Sequence, residues 1–240
     1  MICRLVVWNV DLTLVDVTKV TRAALADAFG AVAGRPLIRL PQLAGRSESE
    51  IFFEALADNG VDVRADEKAE RLLEPFCAEL ASAMQARREE LPRQGKRLPG
   101  AAEAAAAVAE RGNAVQTVLT GNSKPNAMLK LRAFDLDRFI DFDIGGYGCE
   151  AYPKGTLLTV ARQRAAGKHQ ASFAEGATVY VADSPRDVDA AKIAGVASLA
   201  VASGRASAAE LRDAGADAVL PDLTDTTRVV ALITELTDRR

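Results

Sequence analysis

From residue 100 onward the chain alternates short apolar runs with helical patterns, and this alternation is what most constrains its fold. Strand-like runs fall at 114–119, 139–144, 177–182, 197–202 and 218–220. Helical patterns lie between them, at 100–111, from Ser123, from Lys154, at 185–194, at 206–214 and from Thr224. A run of three to six mostly apolar residues is too short for a helix and fits a buried strand. Strands that alternate with helices form βαβ units, and these units build a parallel sheet with helices on both sides. An earlier apolar run, Leu5-Val6-Val7-Trp8, supplies a first strand, so Trp8 is expected in the core. The expected class is α/β.

The segment between the first strand and residue 100 follows a different pattern. Val20, Ala24, Ala28 and Val32 recur on one helical face. Gly34, Pro36 and Pro41 break that pattern. Ser47 and Glu50 form a capping-box signature ahead of Ile51, Phe52 and Leu56. A further helix is expected from Asp66 to Glu90, with Phe52, Phe53 and Phe76 at packing positions. Residues 92–99 hold two prolines, a glycine and three basic residues, and read as a linker. The expected organisation is a core of residues 1–15 and 93–240 with a helical domain, 16–92, inserted in it.

Composition excludes several classes. The chain has 240 residues, is 49% hydrophobic and 26% charged, and carries a net charge of -3. That is a globular composition, with no basic footprint for nucleic acid. No apolar run reaches membrane-spanning length. No basic leader with a cleavage site precedes the first strand, so the expected location is cytoplasmic. Cys3, Cys77 and Cys149 are odd in number and have no CxxC spacing, which predicts neither a disulfide framework nor a zinc site. His169, the only histidine, reads as a surface residue, and Cys149 as a small loop residue.

In an open α/β sheet, ligands bind at the carboxyl ends of the strands. The segments there are Asn9-Val10-Asp11-Leu12-Thr13, Thr120-Gly121-Asn122-Ser123 and Asp183-Ser184-Pro185-Arg186-Asp187, and Lys154 opens a helix. Clustered aspartates suit Mg²⁺, a hard cation that prefers oxygen ligands. Thr120 and the N–H groups of Gly121 and Asn122 could cradle phosphate oxygens. Lys154 could neutralise both phosphate and carboxylates. Each element alone has an ordinary reading as a turn, a cap or a solvated side chain. Their occurrence in order after successive strands points to phosphoryl chemistry.

In these segments the chain resembles the haloacid dehalogenase (HAD) superfamily. Asn9-Val10-Asp11-Leu12-Thr13-Leu14 is similar to the family's Asp-x-Asp-Gly-Thr-Leu. Thr120, Lys154 and Ala182-Asp183-Ser184-Pro185-Arg186-Asp187 match the second, third and fourth motifs. The helical insert resembles the type C1 cap of phosphoglycolate phosphatase-like members, on a Rossmann-like core. The resemblance implies a Mg²⁺-dependent phosphatase that acts on a small phosphorylated metabolite through an aspartyl-phosphate. Asp11 would be the general acid/base, and its backbone carbonyl a Mg²⁺ ligand. Thr120 would hold the phosphoryl group, and Lys154 would balance charge. The metal set would be the residue-9 side chain, Asp11, Asp183 and Asp187. Arg46, in Gly45-Arg46-Ser47, resembles the family's substrate-facing loop; it reads equally as a surface arginine.

Two positions depart from the pattern. Asn9 stands where the family has its nucleophilic aspartate. A neutral amide supplies neither the attacking oxygen nor the negative oxygen a metal prefers, so turnover should be impaired or absent. Asn9 could be a change introduced into an active phosphatase, a natural feature of a non-catalytic binding or regulatory protein, or a residue deamidated after synthesis. The other five motif residues favour the first. Leu12 replaces a glycine and is read as a benign change that narrows the site. Carbon–halogen hydrolysis, the family's other chemistry, does not need the metal motif retained here.

Overall fold

The computed structural model describes residues 4–61, 70–149 and 154–238. Its centre is β1, Arg4–Trp8, every residue of which is buried. β1 pairs in parallel with β4, Ala114–Thr120, on one side and with β6, Thr178–Ala182, on the other. β5, Gly146–Tyr147, lies outside β4. β7, Ala197–Val201, and β8, Ala218–Leu220, continue beyond β6. The six-stranded order is β5-β4-β1-β6-β7-β8, all parallel.

The period of two along a strand sorts β1 between two cores. Val6 and Trp8 join one apolar cluster with Val108, Leu131 and Val229. Leu5 and Val7 join the other, with Leu157, Leu158 and Tyr180. The first cluster is supplied by α5, Ala101–Glu110, α6, Lys124–Arg132, and α10, Thr226–Thr237. The second rests on α7, Lys154–His169. Trp8 is fully buried, and its Nε1 donates to Gln116 Oε1 (3.0 Å), which satisfies its one polar atom. α8, Pro185–Ile193, and α9, Ala208–Asp213, complete the α/β core.

The insert is helical. α1, Thr18–Ala33, packs on α3, Leu73–Ala86, while α2, Glu48–Asp58, lies across α3 with Phe52 stacked on Phe76 at 4.3 Å. The capping box is present: Ser47 Oγ accepts from the Glu50 N–H, and the Glu50 carboxylate accepts from the Ser47 N–H. The single helix expected over 66–90 differs. Within it α3 stops at Ala86, and a separate α4, Glu90–Gln94, starts with Pro92 in its first turn, where no N–H is needed. Residues 62–69, which include the expected start at Asp66, lie outside the described residues. The proline-rich linker contains β3, Lys96–Arg97, antiparallel to β2, Val15–Asp16. The chain therefore leaves β1 and returns towards α5 side by side.

Two expectations are corrected. Residues 139–144 form no strand. Asp137–Phe139 is a 3₁₀ turn, and the Asp141 carboxylate accepts from the Asp143 N–H (3.1 Å), a local bond that bends the chain. Phe142 and Ile144 are buried from within that bend, and pairing begins only at Gly146. Second, Cys77 on α3 and Cys149 in the loop after β5 form a disulfide. They are 72 residues apart in sequence, and only the docking of the insert on the core brings them together. Cys3 lies outside the described residues. Among the described residues no helix is long and apolar enough to cross a membrane.

Candidate active site

β1, β4 and β6 are adjacent, so their carboxyl ends deliver three loops to one place. A cleft there is lined by Asn9, Asp11, Thr120, Asn122, Lys154 and Asp183 from the core, and by the α2 lead-in and α1 from the insert. Of the expected site residues, Gly121 and Arg46 line it too. Asp187 lies behind it, fully buried, where it holds Lys154.

Asn9 is buried at the end of β1. Its Nδ2 donates to the Asp11 main-chain oxygen (2.9 Å), to Asp183 Oδ1 (2.9 Å) and to Thr13 Oγ1 (3.3 Å). Thr13 Oγ1 in turn donates to Asp183 Oδ1 (2.8 Å). Burial and then the neighbouring Asp187 charge push the Asp183 carboxyl up to about 7. Asp187 Oδ1 meets Lys154 Nζ at 2.5 Å and accepts from the Tyr180 hydroxyl (2.9 Å), while Oδ2 accepts from Ser184 Oγ (2.5 Å). Burial raises the Tyr180 phenol well above its ordinary value, so it stays a donor.

Asp11 points elsewhere. Lys130 Nζ donates to both of its carboxylate oxygens (2.8 and 3.0 Å) and to Asn122 Oδ1 (2.7 Å). Asn122 Nδ2 donates to Asp11 Oδ2 (2.6 Å) and to Thr120 Oγ1 (2.6 Å), and the Asn122 N–H also reaches Thr120 Oγ1 (3.2 Å). Thr120 and Asn122 therefore form one knot with the expected acid/base rather than a free cradle. Gly121 faces the insert: a Cβ there would overlap the Arg46 carbonyl oxygen, and the Glu48 N–H donates to the Gly121 oxygen (2.7 Å). The Arg46 guanidinium is paired with Glu54.

Sequence reasoning missed Lys130, Glu48 and Thr13. Lys130 is buried although it lies in an unremarkable Leu-Lys-Leu-Arg run. Glu48 looks like a first-turn surface acid. Its carboxylate instead accepts from the Ser123 N–H (2.9 Å) and from Asn126 Nδ2 (2.8 Å), and its burial raises its pKa. Nothing in the local pattern signals either one. Thr13 could have been found, because it belongs to the stretch already singled out. Leu12 is a correction. Its φ of 61° puts it in the left-handed region, where a side chain is strained, so the replaced glycine is not a benign change.

The donor set does not fit a resident Mg²⁺. The Asp11 main-chain oxygen is occupied by the Asn9 N–H₂ group and the Asp11 carboxylate by Lys130, Asp187 is held by Lys154, Tyr180 and Ser184, and Asp183 alone offers a carboxylate, whose Oδ1 already accepts from two donors. Among the described residues no group of three or more His, Cys, Asp or Glu side chains could hold a metal.

An open parallel sheet with these loops at its carboxyl edge and a helical insert over them defines a doubly wound, Rossmann-like α/β protein. The family model for haloacid dehalogenase-like hydrolases matches residues 6–192, and the chain belongs to that family. Solved structures share the fold. A hydrolase from Pseudomonas syringae is 22% identical with a TM-score of 0.68, covering 96% of this chain and 99% of its own. A predicted phosphoglycolate phosphatase from Haemophilus somnus is 17% identical with a TM-score of 0.64, covering 95% and 98%. CbbY from Rhodobacter sphaeroides, in complex with phosphate, is 21% identical with a TM-score of 0.65, covering 94% and 96%. A comparison with curated proteins found no match.

Proposed function

We propose that the cleft is a phosphate-monoester site for a small phosphorylated metabolite, built for hydrolysis through an aspartyl-phosphate and disabled for that step by Asn9. Residues 16–92 would serve as the cap that selects the substrate, and residues 1–15 and 93–240 as the core. Asn9 is the observation that carries this reading. It sits at the end of the central strand, within hydrogen-bond reach of Asp183, in the cleft that Thr120 and Lys154 also line.

In this reading Lys154 and the Thr120 hydroxyl hold the phosphoryl oxygens. Asp11, once released by Lys130, holds the proton destined for the leaving oxygen. Attack on phosphorus needs a carboxylate lone pair at position 9, and the amide's is delocalised. An aspartate there supplies it, together with the second anionic oxygen that a magnesium ion requires. The chain as it stands binds the ester and leaves it intact.

The test is a phosphate-ester panel with MgCl₂, run on this chain and on Asn9→Asp. The expected result is a gain in kcat/KM of about a thousandfold or more, equivalent to about 4 kcal/mol of transition-state stabilisation. A specific observation favours a second reading, a binding protein with no hydrolytic capacity: the Asn9 amide has all its hydrogens placed. Ester binding by both forms with turnover by neither would select it.

A further inference from the structure

Three oxygens converge on Asn9 Nδ2: the Asp11 main-chain carbonyl, Asp183 Oδ1 and Thr13 Oγ1. The first has no hydrogen to give, and the second is already an acceptor for Thr13. The third has spent its hydrogen on Asp183. The amide is therefore oriented by its surroundings. Turned over, its carbonyl oxygen would face two acceptors, the Asp11 carbonyl would lose the hydrogen bond it has here, and Asp183 Oδ1 would keep only Thr13.

An aspartate in the same slot would meet those acceptors with another anionic oxygen. Residues 9 and 183 would then be like charges around a gap, and a divalent cation is what could hold them together. With asparagine, the N–H₂ group supplies that positive end itself. It bridges the Asp11 carbonyl and the Asp183 carboxylate at 2.9 Å each. The rest of the arrangement agrees. Asp187 is neutralised by Lys154, and Asp11 by Lys130, both from within the protein.

We propose that the Asn9 side-chain amide stands in for the divalent cation, so that this site is assembled, and takes up an oxyanion, without a metal. The oxyanion half rests on the phosphate-site reading above; the metal half does not.

The experiment is titration of the unmodified chain with Mn²⁺, followed by water-proton relaxation, beside the Asn9→Asp chain. Thermal melts with MgCl₂ and with chelator accompany it. The expected result is no saturable Mn²⁺ binding and an unchanged Tm for the unmodified chain, with binding at least about tenfold tighter in Asn9→Asp, or 1.4 kcal/mol. Saturable Mn²⁺ binding by the unmodified chain, or a Mg²⁺-dependent rise in its Tm, overturns the proposal. Both readouts use the unmodified chain, so a poorly folded variant does not weaken the test. Inorganic phosphate is then titrated with and without MgCl₂. Equal affinity supports the proposal, and binding only with Mg²⁺ overturns it. Binding in neither case removes the phosphate-site reading and the oxyanion half, while the Mn²⁺ result still decides the metal half.

Discussion

At the scale of single residues, the charge balance of the cleft depends on Asp183. Its carboxyl ionises near 7 in the folded chain, mainly because it is buried, against about 4 in an unfolded one. The fold thus favours the protonated form. That contribution is complete below about pH 4 and is lost as the pH rises towards 7. In chelator-treated buffer the Tm should fall across that interval. Asp183→Asn keeps an acceptor for Asn9 and Thr13 and should flatten the slope, as followed by melts at stepped pH. An unchanged slope would assign the titration to another group. Residue identities were legible where a motif carried them: Asn9, Asp11, Thr120, Lys154 and Asp183 do gather. Their partners were not. Lys130 and Glu48 acquire meaning only when helices distant in sequence meet.

At the scale of elements, the contact between the β4 loop and the α2 lead-in is backbone against backbone. Gly121→Ala would place a methyl on the Arg46 carbonyl and separate the Glu48 N–H from the Gly121 oxygen. Overpacking of this kind costs about 1–3 kcal/mol. Gly167→Ala, within α7 with nothing near its added carbon, should instead stabilise by about 0.5–1 kcal/mol. Urea denaturation of both variants measures the contrast. Elements with a strong period or cap were readable, as α1 and the Ser47 box demonstrate. The expected strand at 139–144 failed because apolar residues in a short run do not reveal whether an aspartate turns the chain. Sheet order was equally hidden, since register depends on contacts between distant segments.

At the scale of the whole molecule, the Cys77–Cys149 disulfide ties the insert to the core. Closing a loop of 72 residues is worth up to about 4 kcal/mol through the unfolded chain. Reductant, or Cys77→Ser, should therefore lower the Tm. Thiol labelling of the denatured chain should count two more reactive cysteines after reduction. Equal labelling before and after would show that the bond does not form. The Lys130–Asp11 pair has a consequence of its own. Lys130 is 1% exposed and Asp11 38%, whereas Lys168 and its partner Asp143 are 43% and 69% exposed. Mobile ions screen the second pair readily and the first much less. Concentrated salt would therefore loosen the outer charge contacts of this protein while the charge layout inside its cleft stayed as it is in dilute buffer.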